Sequence, residues 1–214
     1  MATPERYVGK GWESQFAVNH LGHFVLVNKL WGVIKNSGRI VSVSSAGHHH
    51  SDIRWQDISF NTGYDKWIAY GQSKTANALF AVHLNRLGEK RGIQAYSVHP
   101  GKIFTPLQRY LSQAEMTQAG WLDEQGRPAD PTFKSPAQGA ATHVWAATSE
   151  LLNDRGGVYC EDCEVAPVDD GDVPSFVGVR PYAADPEHAE RLWRLSAELT
   201  GIDIIRRPAV GFPK

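Results

Sequence analysis

Between residues 11 and 34 the apolar side chains Trp12, Phe16, Leu21, Phe24, Val25, Val27 and Leu30 recur among polar ones, nearer to helical than to strand periodicity. This predicts a helix with a buried middle. Gly38 then precedes a β-branched run from Arg39 to Ser44 that closes on the turn signal Ala46-Gly47, as expected of a buried parallel strand. A polar stretch from about 48 to 66, carrying Trp55, Phe60 and Tyr64, gives way to Ala69 through Leu87, rich in Ala, Leu, Lys and Asn at helical spacing. A long helix is expected there. Gly92 closes it, and Ile93 to Val98 form a second short apolar strand stopped by His99-Pro100-Gly101.

Residues 106 to 134, with Gly120, Gly126, Pro128 and Pro131, lack a period and predict a mobile excursion over a ligand site. Ser135-Pro136 caps a helix running to about Ser149, because Ser at the N-cap and Pro at the first helical position suit its unpaired N–H groups. A third strand begins at Gly156-Gly157-Val158-Tyr159. A final helix starts at Asp185-Pro186-Glu187, runs through Leu199 and is closed by Gly201. Such alternation builds an α/β fold of three layers, a parallel sheet with helices on both faces, in a single domain over residues 1–214. Three strands make a narrow sheet, and the run from Arg39 to Ser44 is apolar enough to be central while nothing upstream can pair with its outer edge. The pattern therefore reads as a partial sheet lacking N-terminal strands.

Composition narrows the function more than the fold. With 22 Lys plus Arg against 23 Asp plus Glu, the net charge of -1 gives no field that would gather nucleic acid or an anionic membrane surface. A small, neutral partner is expected instead. No apolar run reaches the roughly 18 residues of a membrane span, and the first residues have neither the basic nor the apolar region of a signal peptide, so the cytoplasm is the expected compartment. Cys160 and Cys163 have Cys-x-x-Cys spacing, yet they sit in a strand-like acidic stretch rather than at a helix N-terminus, and His143 and His188 offer no paired spacing for zinc. His48-His49-His50 follows a strand and a turn and is expected in a solvated or substrate-side loop; no metal site is assigned.

Tyr70 and Lys74 stand four residues apart on the long helix, which puts phenol and ammonium on one face. A phenol titrates near ~10, and a positive charge within a few ångströms favours the phenolate, so Tyr70 could exchange a proton with a substrate oxygen near neutral pH. Ser45, at the C-terminal end of the first strand, could donate to the same oxygen, and strand ends of open α/β sheets are where ligands bind. Each residue also has an ordinary structural reading: Tyr70 and Lys74 a surface pair, Ser45 a strand-end turn residue, Asn19 a buried amide satisfied by backbone, Thr105 a helix cap.

Several ordered segments change that weighing: Asn19 in Phe-Ala-Val-Asn-His-Leu-Gly-His-Phe, Ser45 in Arg-Ile-Val-Ser-Val-Ser-Ser, the Tyr70 and Lys74 pair, and Pro100-Gly101-Lys-Ile-Phe-Thr105. Through them nearly the whole chain resembles the short-chain dehydrogenase/reductase family. The insert between Ser45 and Tyr70 and the ending Arg-Leu-Trp-Arg-Leu-Ser-Ala-Glu-Leu-Thr-Gly look like its retinol-dehydrogenase-like and WW-domain-oxidoreductase-like branch. The resemblance implies a Rossmann-type, doubly wound parallel sheet and NAD(P)-dependent oxidoreduction of a carbonyl or alcohol on a small hydrophobic substrate. It makes Tyr70 the general acid/base, with Lys74 lowering its pKa and holding the nicotinamide ribose. Ser45 would polarise the carbonyl, and Asn19 would hold a proton-relay water through a local break in its helix. Pro100, Gly101, Ile103 and Thr105 would meet the nicotinamide carboxamide and a nearby phosphate. Hydride would come from the cofactor, which no side chain replaces. The helices carrying Asn19 and Tyr70 would be the faces of a homodimer.

The same resemblance implies a strand, a glycine-rich turn and a helix N-terminus for the pyrophosphate, and no Gly-x-x-x-Gly-x-Gly follows a strand in this sequence. About 80 to 100 residues, some two and a half βα units, are expected to be missing relative to that pattern. NAD(P)(H) is therefore expected of a longer parent, with the isolated chain impaired in binding it. A non-catalytic fragment acting as an interaction partner is the alternative reading. The apolar residues Leu107, Tyr110, Leu111, Met116 and Trp121 of the excursion suggest an apolar ligand, or simply anchor that segment.

Overall fold

The structure, a computed structural model, describes residues 1–173 and 175–205. It opens with a small antiparallel hairpin, β1 (Tyr7–Val8) and β2 (Trp12–Glu13), which the helical spacing of residues 11 onward had hidden. Glu13 then caps α1 (Ser14–Phe16), its carboxylate accepting from the N–H groups of Gln15 and Phe16 at 2.8 and 2.7 Å. A π-helical turn over Ala17–Leu21 follows, and α2 (Gly22–Leu30) continues the same helix. Helix α3 (Lys66–Gly88) starts three residues earlier than its apolar spacing suggested, because Asp65 accepts from the N–H groups of Trp67 and Ile68.

The main sheet has four strands in the order β3 (Arg39–Val43), β4 (Gln94–His99), β5 (Tyr159–Glu161) and β6 (Glu164–Val165). The first three run parallel, with Arg39 opposite Gln94 and Ser97 opposite Tyr159. β6 turns back antiparallel on β5, so the expected three-strand parallel sheet gains a fourth strand of opposite direction. Asp162 and Cys163 make that reversal with φ of 49° and 61°, both left-handed as a two-residue hairpin requires. Both cysteines are free, and burial pushes the Cys160 thiol up to about 12, far from a reactive thiolate.

Alternation along β4 sends Ala95 to one face and Tyr96 and Val98 to the other. On the first face Ala95 joins Phe24, Phe80, Leu84 and Trp193, the last contributed by α7 (Pro186–Thr200). Trp193 stacks on Phe80 at 5.8 Å and meets Phe24 edge-on at 4.7 Å, rings that each contribute about 1.5–3 kcal/mol by burial. On the second face Tyr96 and Val98 pack with Ala146 of α5 (Pro136–Thr148) and with Leu152. The sheet therefore carries helices on both faces. The cap signals read from sequence hold: Ser135 forms a capping box with Gln138, Asp185 accepts from Glu187 and His188, and Gly201 takes φ 73° after α7.

The segment 106–134 has order of its own. It contains a short turn at Pro106–Gln108 and helix α4 (Gln113–Gln118), each with a complete capping box. Lys102 pairs with Asp130 at 2.6 Å, Lys66 pairs with Glu115, and the Lys134 N–H donates to the Lys102 carbonyl at 2.7 Å. Leu111 is the buried anchor, whereas Leu107 and Tyr110 are exposed. A short helix α6 (Pro181–Ala184) precedes α7. Among the described residues no helix is long and apolar enough to cross a membrane.

Candidate active site

The C-terminal ends of β3 and β4 and the second turn of α3 converge on Tyr70. Ser45 follows β3 and caps a 3-10 turn over Ala46–His50, its hydroxyl oxygen accepting from the Gly47 N–H at 3.0 Å. That turn lies directly on the phenol ring: a Cβ added at Gly47 would sit 2.6 Å from Tyr70 Cε1, so only glycine fits. Tyr70 is 4% exposed. Burial pushes its phenol above the usual value, and a hydrogen bond with the Ser45 side chain draws it partly back. Ser44, the adjacent hydroxyl, points elsewhere and donates to the Lys74 carbonyl at 2.8 Å, which separates the two serines by role.

Lys74 lies one turn beyond Tyr70 as the spacing required, its Nζ 5.7 Å from the phenol ring centre and donating to the Val43 carbonyl at 3.0 Å. Burial lowers the ammonium to about 8, so it still carries charge at neutral pH. The expected depression of the phenol by Lys74 is not what these surroundings produce. At this separation desolvation dominates, and Tyr70 stays protonated near pH 7.

Asn19 occupies the π turn, the local helix break expected of it. Its Nδ2 donates to Ser73 Oγ at 3.0 Å, and Ser73 Oγ donates to the Tyr70 carbonyl at 2.7 Å. A π turn strains the regular ladder, and here the Asn19 carbonyl accepts instead from Asn77 Nδ2 at 2.6 Å. Ser73 and Asn77, one turn apart on α3, thus hold both ends of Asn19. Asn77 carries no motif that marks this role; its seven-residue offset from Tyr70, two helical turns, is the available signal.

Pro100, Gly101 and Ile103 lie just beyond β4, beside Ser45 across the β3–β4 ladder. Gly101 has φ 86°, and a Cβ there would meet the Lys134 side chain at 2.8 Å. Ile103 packs against Gly139 of α5, and its carbonyl accepts from Gln108 Nε2 at 2.7 Å. Thr105 caps the turn at Pro106–Gln108, its Oγ1 accepting from the Leu107 N–H at 3.2 Å, so its hydroxyl is engaged locally. The two ends of the site are joined by His99, whose Nδ1 accepts the Ala46 N–H at 3.2 Å and whose pKa burial lowers to about 4.

Of the solvated or substrate-side loop expected for the histidine run, the solvated half does not hold, while the run does follow directly on Ser45. His48 is fully buried and His49 nearly so; only His50 is exposed. His48 Nδ1 donates to the Ser45 carbonyl at 2.8 Å and its Nε2 accepts the Arg180 N–H at 3.1 Å, which fixes a neutral ring. Tyr182 donates to the His48 carbonyl at 2.8 Å. The run is a joint between the Ser45 turn and the segment before α7.

The family model "short chain dehydrogenase" matches residues 3–116, more than half of the chain. The chain belongs to the short-chain dehydrogenase family. Among its relatives in this family, a probable oxidoreductase of Streptomyces lividans is 44% identical across 92% of this chain and 68% of its own length. The short-chain dehydrogenase/reductase prx1 of Penicillium rubens is 39% identical across 93% of this chain and 59% of its own. Retinol dehydrogenase 12 of Bos taurus is 35% identical across 94% and 58%. A solved structure of an uncharacterized protein from Mycobacterium Paratuberculosis superposes with a TM-score of 0.65 at 29% identity, over 95% of this chain and 64% of that one. As a short-chain dehydrogenase, the chain thus spans about three-fifths to two-thirds of these relatives.

Proposed function

We propose that the chain carries the proton-transfer centre of an NAD(P)-dependent oxidoreductase that interconverts a carbonyl and an alcohol on a small hydrophobic substrate in the cytoplasm. The observation that carries this reading is the buried Tyr70, hydrogen-bonded to Ser45, walled by Gly47 and one turn from Lys74. Ser45, whose oxygen accepts from Gly47, keeps a hydrogen that can pass from Tyr70 to a substrate oxygen seated beside both. As the carbonyl carbon is reduced, its oxygen gains charge and takes the Tyr70 proton. A phenol kept protonated by burial suits this reductive direction. Lys74, with N–H donors beyond the one given to Val43, would hold a ribose hydroxyl of the cofactor, and the proton that Tyr70 gives up is replaced from solvent.

The donor set fits the nicotinamide end of a dinucleotide: a charged Lys74, the Asn19 turn, and Pro100, Gly101, Ile103 and Thr105 beyond a parallel strand end. Of these Thr105 fits least, its hydroxyl serving its own turn. When bound, that group supplies the hydride. No Gly-x-x-x-Gly-x-Gly occurs in the 214 residues, and we infer that this polypeptide alone holds NADH or NADPH weakly; a tight, stoichiometric titration would refute this. Exposed Val18, Leu26 and Leu30 on the helix carrying Asn19 support pairing of two copies through that face, which sedimentation equilibrium reads directly.

Tyr70→Phe tests the central role. With a hydrophobic ketone and millimolar NADPH or NADH, turnover should fall by at least ~10²-fold with the fold intact by circular dichroism. Undiminished turnover removes Tyr70 as proton donor. No turnover in either protein favours the non-catalytic alternative, an interaction partner using the same helices.

A further inference from the structure

Four rings form an unbroken arc beside Tyr70. Trp67 meets the Tyr70 ring at 6.4 Å and Trp121 at 6.3 Å, both edge-on; Trp121 meets Phe133 at 5.7 Å; and Phe133 stacks on Phe104 at 3.9 Å. The arc starts on α3, crosses the 106–134 excursion and ends between Ile103 and Thr105, so it links the proton donor to the segment assigned to the nicotinamide. None of the four rings is fully buried, and Phe104 is 36% exposed. Leu111, by contrast, is the buried residue that anchors the excursion, which leaves the rings surface to offer a ligand.

Lys66 pairs with Glu115, Lys102 with Asp130, Lys134 with Asp162 and Arg127 with Asp123, while Arg109 lies over the Tyr110 ring at 4.8 Å and Lys74 donates to the Val43 carbonyl. Aromatic faces and edges favour offset and edge-to-face contact with another flat ring, a geometry that a flexible chain cannot reproduce.

Resting on the reductase reading above, we propose that the arc Trp67–Trp121–Phe133–Phe104 is the substrate wall, and that the substrate class is a planar aromatic ketone or the corresponding alcohol. Its oxygen lies toward Tyr70 and Ser45, and its ring system lies along the arc.

Equilibrium dialysis of the full chain against 2-acetylnaphthalene and 2-dodecanone, ketones of equal carbon count, separates the possibilities. A merely greasy surface favours the more apolar chain, whereas the wall should bind the aromatic ketone about 10-fold more tightly, the worth of one or two ring contacts. Trp121→Leu and the exposed Phe104→Leu should each bring that ratio towards one with dodecanone binding unchanged, and Tyr70→Phe should leave it intact. A ratio near one in the parent chain, or one that survives both leucine variants, overturns the proposal. Aromatic preference with no reduction at NADPH concentrations that titration shows to load the chain would sink the reductase reading and keep the wall. Equal binding of two ketones that are both reduced would do the reverse.

Discussion

Acidification from about pH 7.5 to about pH 5 is expected to remove roughly 4 kcal/mol from the stability of the chain through two histidines alone. His20 sits among Phe16, Phe24 and Phe80, with ring centres at 5.1, 6.3 and 6.0 Å. Ser196 gives its hydrogen to the Leu192 carbonyl, so His20 Nε2 must donate to Ser196 Oγ at 2.7 Å, leaving Nδ1 bare and buried. His48 is held neutral by Ser45 and Arg180. Burial lowers both to about 3 from an ordinary value of 6.5. Because the folded pKa lies below the unfolded one, nothing is lost above pH 6.5. Below it the unfolded chain binds protons that the folded chain refuses. At pH 5 that is about 1.5 pH units, or about 2 kcal/mol for each histidine, against a total of about 5–15 kcal/mol for a typical domain. Urea unfolding at the two pH values reads the loss, and the variant His20→Phe/His48→Gln is the control. It will be weaker at neutral pH, yet its stability should fall by about 4 kcal/mol less between the two, since the sites lie apart and add. Glu13, whose carboxyl burial pushes up, works in the opposite direction on acidification and is common to both proteins. Equal pH dependence in the two would refute the assignment of buried neutral rings.

Further outcomes follow from the same contacts. Gly47→Ala should cut turnover by more than ten-fold with little change in substrate affinity, because its methyl must displace the Tyr70 ring; steady-state kinetics checks the split. Turnover should decline above about pH 8 as Lys74 loses its charge, and Lys74→Arg should move that decline upward; a pH–rate profile without such a limb counts against Lys74. The depressed Lys74 also destabilises the fold below about pH 8, a penalty relieved as pH rises towards its ordinary value of 10.5. Asp65→Ala should cost about 1 kcal/mol in denaturant unfolding, since it leaves the Trp67 and Ile68 N–H groups uncapped at the start of the helix that carries Tyr70.

The parts of the fold most legible in the sequence were those set by local rules. The caps at Ser135 and Asp185, the stop at Gly201 and the buried β4 depend on near neighbours, and the structure places them within a residue or two of expectation, whereas β3, expected to be buried, is half-exposed at the edge of the sheet and β5 begins at Tyr159, three residues beyond Gly156. The short β1–β2 hairpin and β6 were missed because two-residue strands carry no period, and because the Asp162–Cys163 turn uses left-handed backbone without the glycine that signals it. In the site, Tyr70 and Lys74 were readable from a single helical turn. The contributions of Asn77, His48 and His99 were not, since each acts across 50 or more residues on a backbone group that no motif displays. The sign of the Tyr70 shift was also hidden: spacing reveals the nearby charge but not the burial that outweighs it.

The π turn at Ala17–Leu21 has a consequence for how this helix tolerates change. Phe16, His20 and Phe24 lie eight positions end to end, over which an ordinary α-helix would drift by about 80°. The wider turn cancels that drift and keeps all three in one seam. Deleting a single residue from 17 to 21 and rewinding to regular pitch would leave seven positions, about 700°, so Phe24 would return to within about 20° of the same seam and keep Trp193. What would vanish is the break itself: the Asn19 carbonyl, now turned to Asn77 Nδ2, would go back to the regular ladder. The extra residue is therefore held in place by the site it shapes and not by the packing of the helix.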